Sequence, residues 1–221
     1  MLLLQFSTSH YCRKARLALG YKKIAYRVEN LTPGLHVLKL RPLTGLTTVP
    51  VLLPEEAETP KAIADSTAIF QYLDAIRPEP PLYPTDSALK TRAELLEDWL
   101  DESIGTATRF VYYDYRAGEG QAIDPSLFSR LLINVVRRQY GISAQAVKLA
   151  RSRLHLAMQV LSSWQQSPTL IGETLSIADL AAAALLSPLA LLPEYRNAYP
   201  WLFERIGEIH EHCGEPLPPG L

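Results

Sequence analysis

An α/β domain followed by an all-helical domain is the architecture that this 221-residue chain predicts. Three observations carry it. Short apolar runs alternate with helical periods up to residue 77, prolines crowd into Arg77–Asp86, and the apolar residues beyond recur at spacings of three and four.

Leu2–Phe6 is an apolar run of the kind that forms a buried strand. Ser7, Thr8 and Ser9 break it, and the apolar period then becomes Tyr11, Ala15, Ala18 and Leu19, a helix that Gly20 stops. A strand feeding directly into a helix leaves Ser9 among unpaired N–H groups, where partial positive charge stabilises an anion. A thiolate placed there would be held by a hydroxyl hydrogen bond and by the helix field together. Ile24–Val28 alternates and predicts a second strand; Thr32-Pro33-Gly34 is a turn leading to a short helix through Leu35–Leu40. Pro50 opens the run Val51–Leu53, a place where a strand tolerates proline. Glu55–Lys61 predicts a hairpin loop and Ala62–Ala64 its partner strand. Asp65 or Ser66 caps a helix carrying Ile69, Phe70, Tyr72 and Leu73. Residues 1–77 thus form the α/β domain, residues 78–86 a proline-stiffened linker, and residues 87–221 the helical domain.

In the second domain, Leu89, Ala93, Leu96, Leu100, Ile104, Ala107 and Val111 draw one long amphipathic helix. A helix with Leu127, Leu131, Leu132, Val135 and Val136 runs from near Pro125 to Gly141, and Ser143 opens another that reaches Trp164. Ser176-Ile177-Ala178-Asp179 is a capping box with Asp in place of Glu. It starts Leu180–Leu186, which is apolar on every side and predicts the centre of this domain. Pro200 begins a final helix through Trp201, Phe203, Ile206 and Ile209.

Net charge is −1, which argues against nucleic acid or an acidic membrane as partner. Apolar runs are shorter than the roughly 20 residues of a membrane span, and the N-terminus does not read as a signal peptide. Cys12 and Cys213 suggest no disulfide framework. The expectation is a cytoplasmic protein.

Ser-x-x-Cys after the first strand, then Val-Pro, then Asp-Ser before a helix, followed by a helical half with Thr-Leu-Ser-Ile-Ala-Asp-Leu, resembles the cytosolic glutathione transferases. The likeness covers nearly the whole chain. Ser-His-Tyr-Cys-Arg is similar to the serine-type stretch of theta-like, zeta-like and bacterial or cyanobacterial members. The resemblance implies a thioredoxin-like βαβαββα domain that holds glutathione and a helical domain that shapes a second-substrate pocket. It gives Ser9 the catalytic hydroxyl's position, and Val49-Pro50 the valine and cis-proline that meet the cysteinyl part. Asp65-Ser66 become the grip on the γ-glutamyl carboxylate and amine. Thr48 stands where many members carry a long polar side chain, next to the glycyl end.

The bland alternatives are specific. Ser9 can be a plain helix cap; lowering a thiol by about two units requires roughly 2.7 kcal/mol, which its hydrogen bond plus the helix N-terminus can supply. Cys12 suggests a thiol reductase or peroxidase, but Ser9 holds the attacking position of a Cys-x-x-Cys pair, so Cys12 should face the core. Asp65 can be a solvated loop acid. Phe110, Tyr112, Tyr113 and Tyr115 are core or dimer packing by default, with Phe110 and Tyr113 the candidates for the second pocket beside His10 and Tyr11. His10 otherwise faces solvent. Arg109 and Arg116 suit an anionic substrate or an exposed face. His210, His212 and Cys213 lack the helical spacing for a metal, so no metal is expected. Ser176 and Asp179 are structural.

The expected activity is conjugation of the glutathione thiolate to a small electrophile, a detoxification reaction with glutathione as co-substrate and no cofactor, in a homodimer without nucleic acid or membrane partners. Its rival is a transferase-like protein that binds glutathione or another protein without turnover.

Overall fold

A computed structural model describes residues 1–55 and 61–221. The hairpin loop expected at Glu55–Lys61 lies mostly outside the described residues. Among those described, β1 (Leu2–Gln5) is central in a sheet of order β2-β1-β3-β4. It pairs parallel with β2 (Arg27–Asn30) and antiparallel with β3 (Val51–Leu53), which pairs antiparallel with β4 (Ile63–Ala64). Alternation along β1 splits the core: Leu3 and Leu52 face α1 (His10–Tyr21) and α3 (Ser66–Ile76), while Leu4 and Val51 face Leu40 of α2 (His36–Thr44). This is the expected thioredoxin-like arrangement.

β2 lies later than its apolar alternation suggests. Ile24 and Tyr26 pack against the core ahead of the strand, and the ladder itself, Leu2 with Arg27 through Gln5 with Asn30, occupies an exposed edge. The long helix expected from Leu89 is one rod in three parts: α4 (Ser87–Asp98), a π-helical stretch Trp99–Ile104, and α5 (Gly105–Ala117). Then follow α6 (Leu127–Gln139), α7 (Ala144–Val160), α8 (Ile177–Leu186), α9 (Pro193–Ala198) and α10 (Pro200–His212). The apolar spacing gave no sign of α9, which is only one and a half turns long and starts on its own proline.

Every residue of α8 is buried, and α1 packs along it, so the second domain's centre is also the wall against which the first domain rests. Asp179 secures the start of α8. Its carboxylate accepts hydrogen bonds from Ser176 N–H (2.9 Å), Ser176 Oγ (2.9 Å), Leu170 N–H (2.7 Å) and Trp164 Nε1 (3.1 Å). At the far end of α1, Gly20 lies so close to Cys213 that a Cβ would come within 2.0 Å of the carbonyl oxygen.

Candidate active site

The first turn of α1 follows β1 after a four-residue loop, and Ser9 is its N-cap. The Ser9 hydroxyl accepts a long hydrogen bond from Cys12 N–H at 3.4 Å. The cap reading and the thiolate-site reading therefore fall on one atom, half-exposed at the positive end of a 12-residue helix. Cys12 is fully buried, and burial pushes its thiol up despite the counteracting Ser9 hydrogen bond, so it is a poor nucleophile.

Pro50 follows Val49 through a cis peptide and is buried, with Val49 half-buried and Thr48 exposed. Asp65 holds a positive φ of 81° and caps α3, its Oδ1 accepting from Thr67 N–H (2.8 Å) and Ala68 N–H (3.1 Å). Ser66, at the first position of α3, is buried. Asp65 is thus a cap and an exposed acid at once, and its backbone sits where non-glycine residues rarely do.

Two of the residues expected in a second pocket, His10 and Tyr11, are engaged in packing between the halves. His10 does not face solvent: it is buried, and a ring nitrogen, Nε2, donates to Gly105 carbonyl at 3.2 Å. Burial, then the charges of Arg109 and Arg13, depress its pKa to about 3, so the ring is neutral. Tyr11 donates its hydroxyl to Asp101 carbonyl at 2.8 Å. Arg109 lies over the Tyr11 ring at 5.1 Å and over Tyr140 at 4.5 Å, with no hydrogen bond or ion pair among the described residues. Phe110 is half-buried, as is Tyr113, whose hydroxyl burial pushes up to about 12. Arg116 is buried and donates to Tyr112 Oη and Ser129 Oγ.

The buried cations of α1 carry no local signature in the sequence. Lys14 is 0% exposed and reaches Glu97, Asp101 (2.6 Å) and Thr67 Oγ1 (3.1 Å), which itself donates to Glu97 at 2.8 Å. Arg13 donates to Ser187 Oγ at 2.5 Å, and burial lowers its pKa to about 10. Arg16 meets Gln5 nearby and Glu215 far along the chain, whereas the partners of Arg13 and Lys14 all lie more than fifty residues away. The π-helical stretch carries Asp101, so a local irregularity of the long rod supplies both a carbonyl to Tyr11 and a carboxylate to Lys14. No cluster of three His, Cys, Asp or Glu suited to a metal occurs among the described residues, and none of their helices is long and apolar enough to cross a membrane.

Comparison with known proteins agrees with this fold. The family model "Glutathione S-transferase, N-terminal domain" matches residues 3–81. FtsZ-localized protein A of Caulobacter vibrioides is 27% identical over 195 residues, 86% of this chain and 75% of that protein. A stringent starvation protein A homolog of Pasteurella multocida is 30% identical over 104 residues, which are 45% of this chain and 47% of that protein. Among solved structures, a glutathione S-transferase of Methylobacterium radiotolerans in complex with glutathione sulfonate superposes with a TM-score of 0.72 at 21% identity, over 98% of this chain and 94% of that one.

Proposed function

We propose that the chain, whose residues 3–81 match the N-terminal domain of glutathione S-transferases, binds glutathione and conjugates its thiolate to a small electrophile. In this reading glutathione lies across the N-termini of α1 and α3. The Val49 backbone before cis-Pro50 pairs with the cysteinyl unit, Asp65 and Ser66 hold the γ-glutamyl end, and Thr48 borders the glycyl end. Ser9 donates its hydroxyl hydrogen to the sulfur. The thiol proton passes to solvent and the sulfur's electron pair forms a bond to the electrophilic carbon; from a halo-aromatic the halide departs with its own pair, and in an isothiocyanate the C=N pair moves to nitrogen, which takes up a proton. The protein's contribution is an ionised nucleophile held next to its target.

One observation carries this most strongly. It is the position of the Ser9 hydroxyl, half-exposed at the N-cap of α1, where the partial positive charge of the helix end favours an anion. Arg109, stacked over Tyr11 without an acidic partner, supports electrophiles that carry a negative charge. A shallow apolar groove of about 390 Å³, lined by Arg92, Leu95, Leu96, Trp99, Val160 and Ile171, supports a homodimer. Two free, buried cysteines suit the cytoplasm.

A second reading, binding without turnover, is favoured by the fact that Ser9 and Asp65 already serve as caps, which leaves a structural reason for both residues. The reductase reading through Cys12 is opposed by that thiol's burial.

The test is conjugation by Ser9→Ala and Cys12→Ala against halo-aromatic and isothiocyanate electrophiles. Ser9→Ala should cut turnover by about tenfold to a hundredfold near neutral pH, the loss expected when a thiol returns toward its ordinary pKa, while glutathione affinity changes little. Retention on immobilised glutathione without turnover of any electrophile would establish the binder instead.

A further inference from the structure

Helix α6 is apolar on two opposite faces. Its inner side, with Ile133 and Ser129, rests on α5, where Ser129 accepts from Arg116 and Arg137 pairs with Asp114 at 3.3 Å. Its outer side presents Leu127 (75% exposed), Phe128 (66%), Leu131 (66%) and Val135 (60%). An isolated exposed leucine is ordinary, but four large apolar side chains on one helix face are not. Leu127, Leu131 and Val135 are spaced by four, the ridge that seats between the ridges of another helix.

The charge along this stripe is mostly positive, although Asp124 in the turn before α6 and Asp114, paired with Arg137, are acids beside it. Between Pro125 and Gly172 the chain has Arg130, Arg137, Arg138, Lys148, Arg151 and Arg153 and not one of its 23 acids. The near-zero net charge of the whole chain conceals this segment. Arg130 and Arg138 flank the stripe, both exposed and neither side chain in a hydrogen bond or ion pair among the described residues. We propose that the outer face of α6 is a docking surface for an acidic amphipathic helix of a partner protein, whose apolar side meets the stripe while its carboxylates meet Arg130 and Arg138.

The other occupants fit less well. Two copies of α6 packed about a two-fold axis would set these arginines against their own like. A bilayer surface fits less well because the free ridge from Leu127 to Val135 is only about 12 Å long, a small apolar area to bury at a membrane.

The experiment measures fluorescence anisotropy of two labelled synthetic amphipathic helices, one with Leu and Glu and the other with Leu and Lys in the same pattern, against the full chain. The acidic helix should bind about tenfold or more tightly than the basic one and weaken as salt rises. Leu127→Glu/Leu131→Glu should abolish binding, and Arg130→Glu/Arg138→Glu should reverse the preference; all four residues are exposed, so circular dichroism should be unchanged. Equal binding of both helices, no binding, or indifference to the α6 substitutions overturns the proposal. So does α6-dependent sedimentation with phosphatidylglycerol vesicles, or α6-dependent self-association of the chain in ultracentrifugation. Retention on glutathione is independent of all these results, so the proposal stands or falls apart from the transferase reading.

Discussion

Lys14 of α1 and Asp101 of the π-helical stretch are joined at 2.6 Å with both side chains buried, and Glu97 and Thr67 close the same knot. One cation thereby ties α1 and α3, the two helices whose N-termini form the candidate site, to the rod of the second domain. Lys14→Met should be strongly destabilising, by about 3–5 kcal/mol, because it leaves two carboxyl groups buried without a cation. Adding Glu97→Gln and Asp101→Asn to that substitution should recover most of the loss. Urea unfolding of the single and triple variants checks this; a triple variant as unstable as the single one would place the cost in packing, not in uncompensated charge.

Two buried histidines make folding sensitive to mild acid. Burial lowers His10 to about 3, and burial lowers His210 to about 4, so both stay neutral in the folded chain while the unfolded chain protonates near 6.5. Below that value the unfolded state binds more protons, so stability falls as pH falls. Each histidine should contribute a loss of about 1 kcal/mol between pH 6.5 and 5.5, with the slope approaching about 1.4 kcal/mol per pH unit below that. Asp101 and Asp179, raised chiefly by burial, have the opposite sign, since a raised carboxyl costs stability as pH rises through its titration. The unfolded histidines take up their protons between about pH 6.5 and 5.5. Urea midpoints across that interval should slope downward toward acid, and His10→Asn should flatten the slope; a midpoint constant over the interval contradicts the burial argument.

Asp179 offers a separate test of the second domain's centre. Its four accepted hydrogen bonds hold Trp164, Leu170 and Ser176 around the first turn of α8. Asp179→Ala strands several buried donors, each costing about 1–3 kcal/mol, and should lower the yield of folded protein before it affects any chemistry. Ser176→Ala removes one of these bonds and should cost only about 1 kcal/mol. Thermal unfolding of the pair should show that order, and equal losses would refute it.

How far the sequence could be read depended on the range of the interaction. The α8 capping box, the fully buried run after it, and the strand-to-helix junction at Ser9 are local patterns, and each stands in the structure. The edge strand β2 slipped by three residues because Ile24 and Tyr26 are buried by tertiary packing before any ladder begins. His10 and Lys14 were invisible as buried groups because Gly105, Glu97 and Asp101 lie more than eighty residues away in sequence. Burial of a charge is decided by its partner, and a single chain does not announce such partners.

Asp65 combines a cap with a candidate ligand, and one substitution separates the two. Asparagine caps about as well as aspartate, so Asp65→Asn should keep the bonds to Thr67 and Ala68 N–H and leave stability nearly unchanged. It removes the negative charge that the γ-glutamyl ammonium would meet. Asp65→Ala loses the cap as well and should cost about 1 kcal/mol. If Asp65 holds glutathione, calorimetry should find both variants weakened by about tenfold or more, the difference expected for a lost charge-assisted hydrogen bond. If Asp65 is only a cap, Asp65→Asn should bind glutathione like the parent, and the positive φ at this position would then serve the helix alone.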